Sequence, residues 1–92
     1  MLDFEWDAGN IEHIALHGVS PEEAEYVLQH PTLDMGYQDW HDEERYTEVG
    51  ATAKGRILVV VTTWRGDRIR VVSAYDASRS EAYDYRMWMV TQ

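Results

Sequence analysis

Residues 56–76 read Arg56-Ile57-Leu58-Val59-Val60-Val61-Thr62-Thr63-Trp64-Arg65-Gly66-Asp67-Arg68-Ile69-Arg70-Val71-Val72-Ser73-Ala74-Tyr75-Asp76. From Ile57 to Val61 the chain is apolar on both parities, the pattern of a strand covered on both faces. Gly66-Asp67 then interrupts the run, and a two-residue break carrying glycine favours an antiparallel hairpin. Beyond it Arg68 and Arg70 fall on one side of an extended chain and Ile69 and Val71 on the other. This stretch is therefore predicted as two paired strands, 56–64 and 68–76, the first of them central in a sheet. Residues 43–51, rich in Tyr, Thr and Val and set off by Ala53-Lys54-Gly55, add a third strand to the meander. Residues 32–40 offer another, and residues 2–6 a short first strand.

The flanks carry helix signals. Ser20-Pro21-Glu22-Glu23 places serine at the N-cap, proline at the first helical position and glutamate at the third, opening a helix through about Gln29. Ser78-Arg79-Ser80-Glu81 repeats the serine and glutamate and opens a closing helix through about Met89. Asp7 caps an earlier helix that ends at Gly18, a residue suited to a left-handed C-terminal turn, with Ile11, Ile14 and Ala15 on its inward face. The expected architecture is α+β: two N-terminal helices, an antiparallel β-sheet meander and a C-terminal helix, in one domain over residues 1–92.

Composition narrows the function. The 92 residues are 45% hydrophobic, enough for a folded core despite a net charge of −9. Without cysteine there is no disulfide, thiolate nucleophile or thiolate zinc site. The opening Met-Leu-Asp-Phe-Glu-Trp-Asp has neither the basic region nor the apolar run of a secretory signal, and Ile57–Val61 is too short to span a bilayer, so a cytoplasmic location is expected. Residues 1–44 hold twelve acids and no Lys or Arg, whereas the remainder holds all eight basic residues against five acids. The halves thus carry −12 and +3. The first suggests a solvated acidic face or a basic protein partner, and the second allows a local anion-binding surface.

Three sets of residues could carry chemistry. His13 and His17 stand one helical turn apart, but Ile14 occupies the glutamate position of a His-Glu-x-x-His zinc motif, and two histidines do not complete a tetrahedral site. His17 is better suited to moving a proton beside a phosphate. Arg56, Arg65, Arg68, Arg70 and Arg79 could supply cations to phosphate oxygens, their alternative role being to solvate a sheet face. Among ten Trp and Tyr side chains, Tyr83 and Tyr85 on the closing helix are candidates for stacking on bases. Arg65-Gly66-Asp67-Arg68 reads as a hairpin turn and nothing more.

The order and spacing of Phe4-Glu5-Trp6-Asp7, His17-Gly18-Val19-Ser20-Pro21-Glu22-Glu23-Ala24, Glu44-Arg45, Gly50-x-Thr52, Gly55-Arg56-x-Leu58-x-Val60-Val61 and Ile69-Arg70-Val71-Val72-Ser73-Ala74, continued through Ala77, Glu81 and Tyr85, resemble the BrnT toxin family. The resemblance implies a RelE-like fold and a toxin component of a type II toxin–antitoxin system. Such a toxin is a metal-independent endoribonuclease that needs no cofactor, takes RNA as substrate and arrests growth. It also implies a BrnA-like antitoxin with a ribbon-helix-helix part, through which alone DNA is contacted. On that reading Arg56 and Arg70 hold the scissile phosphate, His17 or Glu81 moves protons, and Tyr85 or Tyr75 stacks on or orients the RNA. Leu16 and Tyr75 stand where the family commonly carries basic residues, and the closing helix, commonly rich in arginine and lysine, here reads Glu81-Ala82-Tyr83-Asp84-Tyr85-Arg86. The alternative expectation is a non-catalytic binding module of the same fold that docks a basic protein.

Overall fold

The computed structural model describes residues 2–92. The elements run β1 (Phe4–Glu5), α1 (Ala8–Ala15), α2 (Pro21–Leu28), β2 (Leu33–Trp40), β3 (Glu43–Ala51), β4 (Ile57–Arg65), β5 (Arg68–Asp76) and α3 (Arg79–Val90). They form one five-stranded sheet in the order β1-β5-β4-β3-β2. The architecture is α+β, and the four strands from β2 to β5 make the expected antiparallel meander. The short first strand expected at 2–6 falls at Phe4–Glu5 and lies parallel to β5, pairing Phe4 with Ile69 and Glu5 with Arg70, so the sheet as a whole is mixed. From β1 the chain runs through α1 and α2 to the opposite edge of the sheet and reaches β5 only after the meander, the long connection that a parallel pair requires.

The doubly apolar run of β4 marks the molecular centre. Leu58 and Val60 point to one face, where they pack with Ile14, Val19, Ala24, Val27, Val71 and Ala74 under α1 and α2. Val59 points to the other, joining Val49 and Tyr85 under α3. Helices therefore cover both faces. All three helix starts are reciprocal capping boxes: Asp7 with Asn10, Ser20 with Glu23 and Ser78 with Glu81. Gly18 adopts φ +68°, the left-handed turn its position requires, although α1 itself stops three residues earlier at Ala15. Gly50 admits α2 to the sheet, since a Cβ there would lie 2.8 Å from Val27 Cγ1.

The inward face of α1 differs from the expected Ile11, Ile14 and Ala15. Ile14 is buried, but its inward companion one turn earlier is Asn10, 3% exposed, while Ile11 remains 39% exposed. Asn10 Nδ2 donates to the Glu5 carbonyl at 3.0 Å and to the Val71 carbonyl at 3.3 Å, tying β1 and β5 to the helix. A polar residue takes this core position because its side-chain amide finds two backbone acceptors where the short edge strand ends against β5. Trp6 Nε1 donates to Glu25 Oε2 at 2.7 Å and fixes α2 to the same corner.

Candidate functional site

Two arginines anchor opposite ends of β5. Arg70 lies near its start, where Nη1 donates to Glu5 Oε1 at 3.1 Å and to Asp7 Oδ2 at 2.8 Å. Glu5 also meets Arg65 at 3.7 Å, Arg65 meets Glu43 at 3.8 Å, and Glu43 meets Arg45 at 3.4 Å. The result is a chain of alternating sign, Asp7-Arg70-Glu5-Arg65-Glu43-Arg45, across one face of the sheet. Here the arginines neutralise carboxylates of the chain itself. The Arg70 guanidinium beside Asp7 holds that carboxyl below the usual carboxylate range, with the Asn10 backbone N–H adding to the effect.

Arg56 immediately precedes β4 and lies at the far end of β5. Its Nε donates to Asp76 Oδ1 at 2.7 Å, its Nη1 to the Gly18 carbonyl at 2.7 Å and to Glu23, and its Nη2 to the His17 carbonyl at 3.1 Å. This fork closes the α1–α2 turn onto the end of the sheet. It also holds Asp76 well ionised, its carboxyl pulled below the ordinary range by the hydrogen bond from Arg56. Six residues of β5 separate the two arginine positions, about 20 Å of strand. Arg56 and Arg70 therefore do not converge on a single phosphate.

At the Arg56 end, the exposed His17 ring lies 5.9 Å from the Tyr75 ring, centroid to centroid, with the planes tilted by 57°. His13 lies edge-on to His17 at 6.2 Å. Among the described residues no three of His, Asp and Glu gather as a metal site would require. α3 begins three residues after Asp76, which brings Arg79 and Glu81 to this same end. Glu81 Oε1 accepts from the Ser78 backbone N–H at 2.8 Å, so this carboxylate caps the helix. Arg79 makes no ion pair among the described residues. Tyr85 lies 7% exposed against Val49, Val59 and Trp88. Its ring is a wall of the core and presents no face on which a base could stack.

The structure thus gathers His17, Arg56 and Tyr75, places Arg70 toward the other end of β5, and buries Tyr85 in the core cluster against which Tyr75 packs. Two partners of this site were not singled out as such in the sequence: Asp76, which orients Arg56, and Glu23, which serves both the α2 cap and Arg56. Glu23 was legible as a cap, but nothing local to residues 18–23 indicates that Arg56, more than thirty positions later, would bond there. The site is a positioned imidazole beside a phenol, with cations at hand and open to solvent, on a small α+β domain. A family model for BrnT, the ribonuclease toxin of type II toxin–antitoxin systems, matches residues 6–81. The chain belongs to this family. Its family-level role is that of a ribonuclease toxin, with RNA as target and an antitoxin as partner. No curated protein matches the chain. Among the described residues no helix is long and apolar enough to cross a membrane.

Proposed function

We propose that this chain is a metal-independent endoribonuclease whose site lies at the end of the sheet occupied by His17, Tyr75, Arg56 and Arg79. The observation that carries the reading is the His17 ring set beside Tyr75 by a turn that Arg56 clamps through the His17 and Gly18 carbonyls. In cleavage of an RNA phosphodiester, His17 takes the 2′-hydroxyl proton as that oxygen attacks phosphorus, the P–O5′ bond breaks, and a solvent water protonates the departing 5′ oxygen. Arg79 answers the charge growing on the phosphorane, since most of the Arg56 donors are committed within the chain. Arg56 is a positioning residue: it holds the backbone from which the imidazole projects. Tyr75 orients His17 and the adjacent nucleotide. Arg70, Glu81 and Tyr85 serve the fold on this reading.

The test is cleavage of total RNA at low salt with chelator present, by the wild type and by His17→Ala, Arg79→Ala and Arg70→Ala. Loss of cleavage in the first two, with cleavage retained by folded Arg70→Ala, supports the assignment. Cleavage that survives His17→Ala or that stops when chelator is added overturns it. A second reading, a binding module of the same fold without catalysis, draws on a different observation. Arg45, Arg56, Arg65, Arg68 and Arg70, five of the eight basic residues, are ion-paired to the chain's own acids and so are withdrawn from phosphate. RNA left intact by the wild type, together with a stable complex with a basic protein, would decide for it.

A further inference from the structure

On the sheet face that carries α1 and α2, the helices stop short of the strands. Each helix has eight residues, about 12 Å, whereas β3, β4 and β5 have nine residues each, about 30 Å. The half they leave open holds a groove of about 370 Å³ walled by Leu2, Leu28, Tyr46, Trp64 and Ile69, with Asp34 and Glu48 beside them. Trp64 is 52% exposed on it, a large apolar surface without a cover.

The charge on this face is arranged against the stability of the fold. Across the β2–β3 hairpin the register sets Asp34 opposite Glu48, Tyr37 opposite Tyr46 and Asp39 opposite Glu44. Glu44, Tyr46 and Glu48 alternate onto the groove side, so two acid pairs flank one aromatic pair, whose rings lie 5.7 Å apart. Like charges directly opposite one another on a sheet destabilise it. Among the described residues none of these four carboxylates has a cationic partner. The opposite face, with its arginines and acids in alternating contact, shows that the chain has the means to neutralise such groups.

We propose that this groove docks a basic amphipathic helix of a partner protein. The apolar side of that helix lies on Tyr46, Trp64 and Ile69, and its Lys and Arg side chains meet the Asp34-Glu48 and Asp39-Glu44 pairs. A helix fits because a helical layer is what the uncovered half of the face lacks. Basic side chains fit because they remove the repulsion within both acid pairs. RNA does not fit, since its phosphates would face four carboxylates. Within this family the protein in which to look for such a helix is the antitoxin. The surface is separate from the His17 end of the sheet, and the proposal holds whether or not the chain cuts RNA.

The experiment titrates the isotope-labelled full chain with a designed helical peptide of about five turns, leucine on one side and lysine on the flanks, and with its counterpart bearing glutamate for lysine. The lysine peptide is expected to shift the amide signals of Tyr46, Thr62, Trp64 and Ile69, and the glutamate peptide to leave them in place. Asp39→Lys is expected to weaken lysine-peptide binding roughly tenfold while raising Tm, a pairing that damage to the fold does not produce. Equal binding of the two peptides, shifts elsewhere on the chain, or full binding by Asp39→Lys overturns the proposal. So does a concentration-dependent dimer lost on Trp64→Ser, which would make a second copy of the chain the occupant.

Discussion

The two ends of β5 present the same side chain in two settings. At one end Arg70 is 17% exposed and bonded to side-chain carboxylates of Glu5 and Asp7, in a chain of charges that continues to Arg45. At the other Arg56 is 28% exposed and bonded to one carboxylate of the neighbouring strand end, one of α2, and two backbone carbonyls of a turn. The first arrangement fastens an edge strand to its neighbour. The second fixes the path of a loop, and the loop carries an imidazole. Both arginines are held in the charged form by their acids, so charge state does not separate them. What separates them is that an exposed imidazole stands beside the Arg56 clamp and, among the described residues, none beside Arg70.

The sharpest way to break this comparison is His17→Ala. Removing a positioned acid or base costs typically 10²–10⁴-fold in rate. RNA cleavage is expected to fall by about 100-fold or more with Tm unchanged, because the His17 ring is exposed and the Arg56 clamp uses only its backbone carbonyl. Arg56→Lys should come next: a lysine cannot serve Asp76, Glu23 and two carbonyls together, so cleavage is expected to drop roughly tenfold and Tm to fall with it. Arg70→Ala is expected to do the reverse, lowering Tm by roughly 5 °C while leaving cleavage per folded molecule intact. If Arg70→Ala abolishes cleavage in a folded protein, the two ends have been assigned the wrong way round.

Two smaller effects sharpen the picture of the Arg70 end. Asn10→Ala leaves the Glu5 and Val71 carbonyls without their buried donor and should destabilise the fold by about 1–3 kcal/mol, read by chemical denaturation. The pH dependence follows from the carboxyl of Asp7, which Arg70 depresses in the folded state. A depressed carboxyl contributes stability that is present above the ordinary carboxylate range and is lost as pH falls through its folded value. The Tm difference between wild type and Arg70→Ala should therefore be constant near neutrality and close as pH drops below that range. A gap that persists in strong acid would mean that Arg70 acts through packing of its stem and not through Asp7.

Local signals accounted for most of the fold. The capping residues at Ser20 and Ser78, the glycine at 18 and the both-faces apolar run at 57–61 place helices, turn and central strand, because capping, left-handed backbone and strand periodicity act between residues a few positions apart. The site was legible only in pieces. His17, Arg56 and Tyr75 were each visible as types able to do the chemistry, yet Arg56 and Arg70 appeared as one phosphate-binding pair because one-dimensional spacing does not report which end of a strand a side chain serves. Tyr85 appeared as a stacking residue because the closing helix brings it near the basic strands, while its own position turns inward onto Val49 and Val59.

The sequence by itself determined the element order, the α+β class, the absence of thiol chemistry and, through the order of its motifs, the family. Tertiary structure alone decided the parallel pairing of β1, the burial of Asn10 and the division of the arginines between a staple and a clamp. It alone set the two acid pairs side by side over an open groove. These depend on residues tens of positions apart coming within hydrogen-bonding or Coulombic reach. Such forces are strong only at a few ångströms, so they exist only once the sheet has closed.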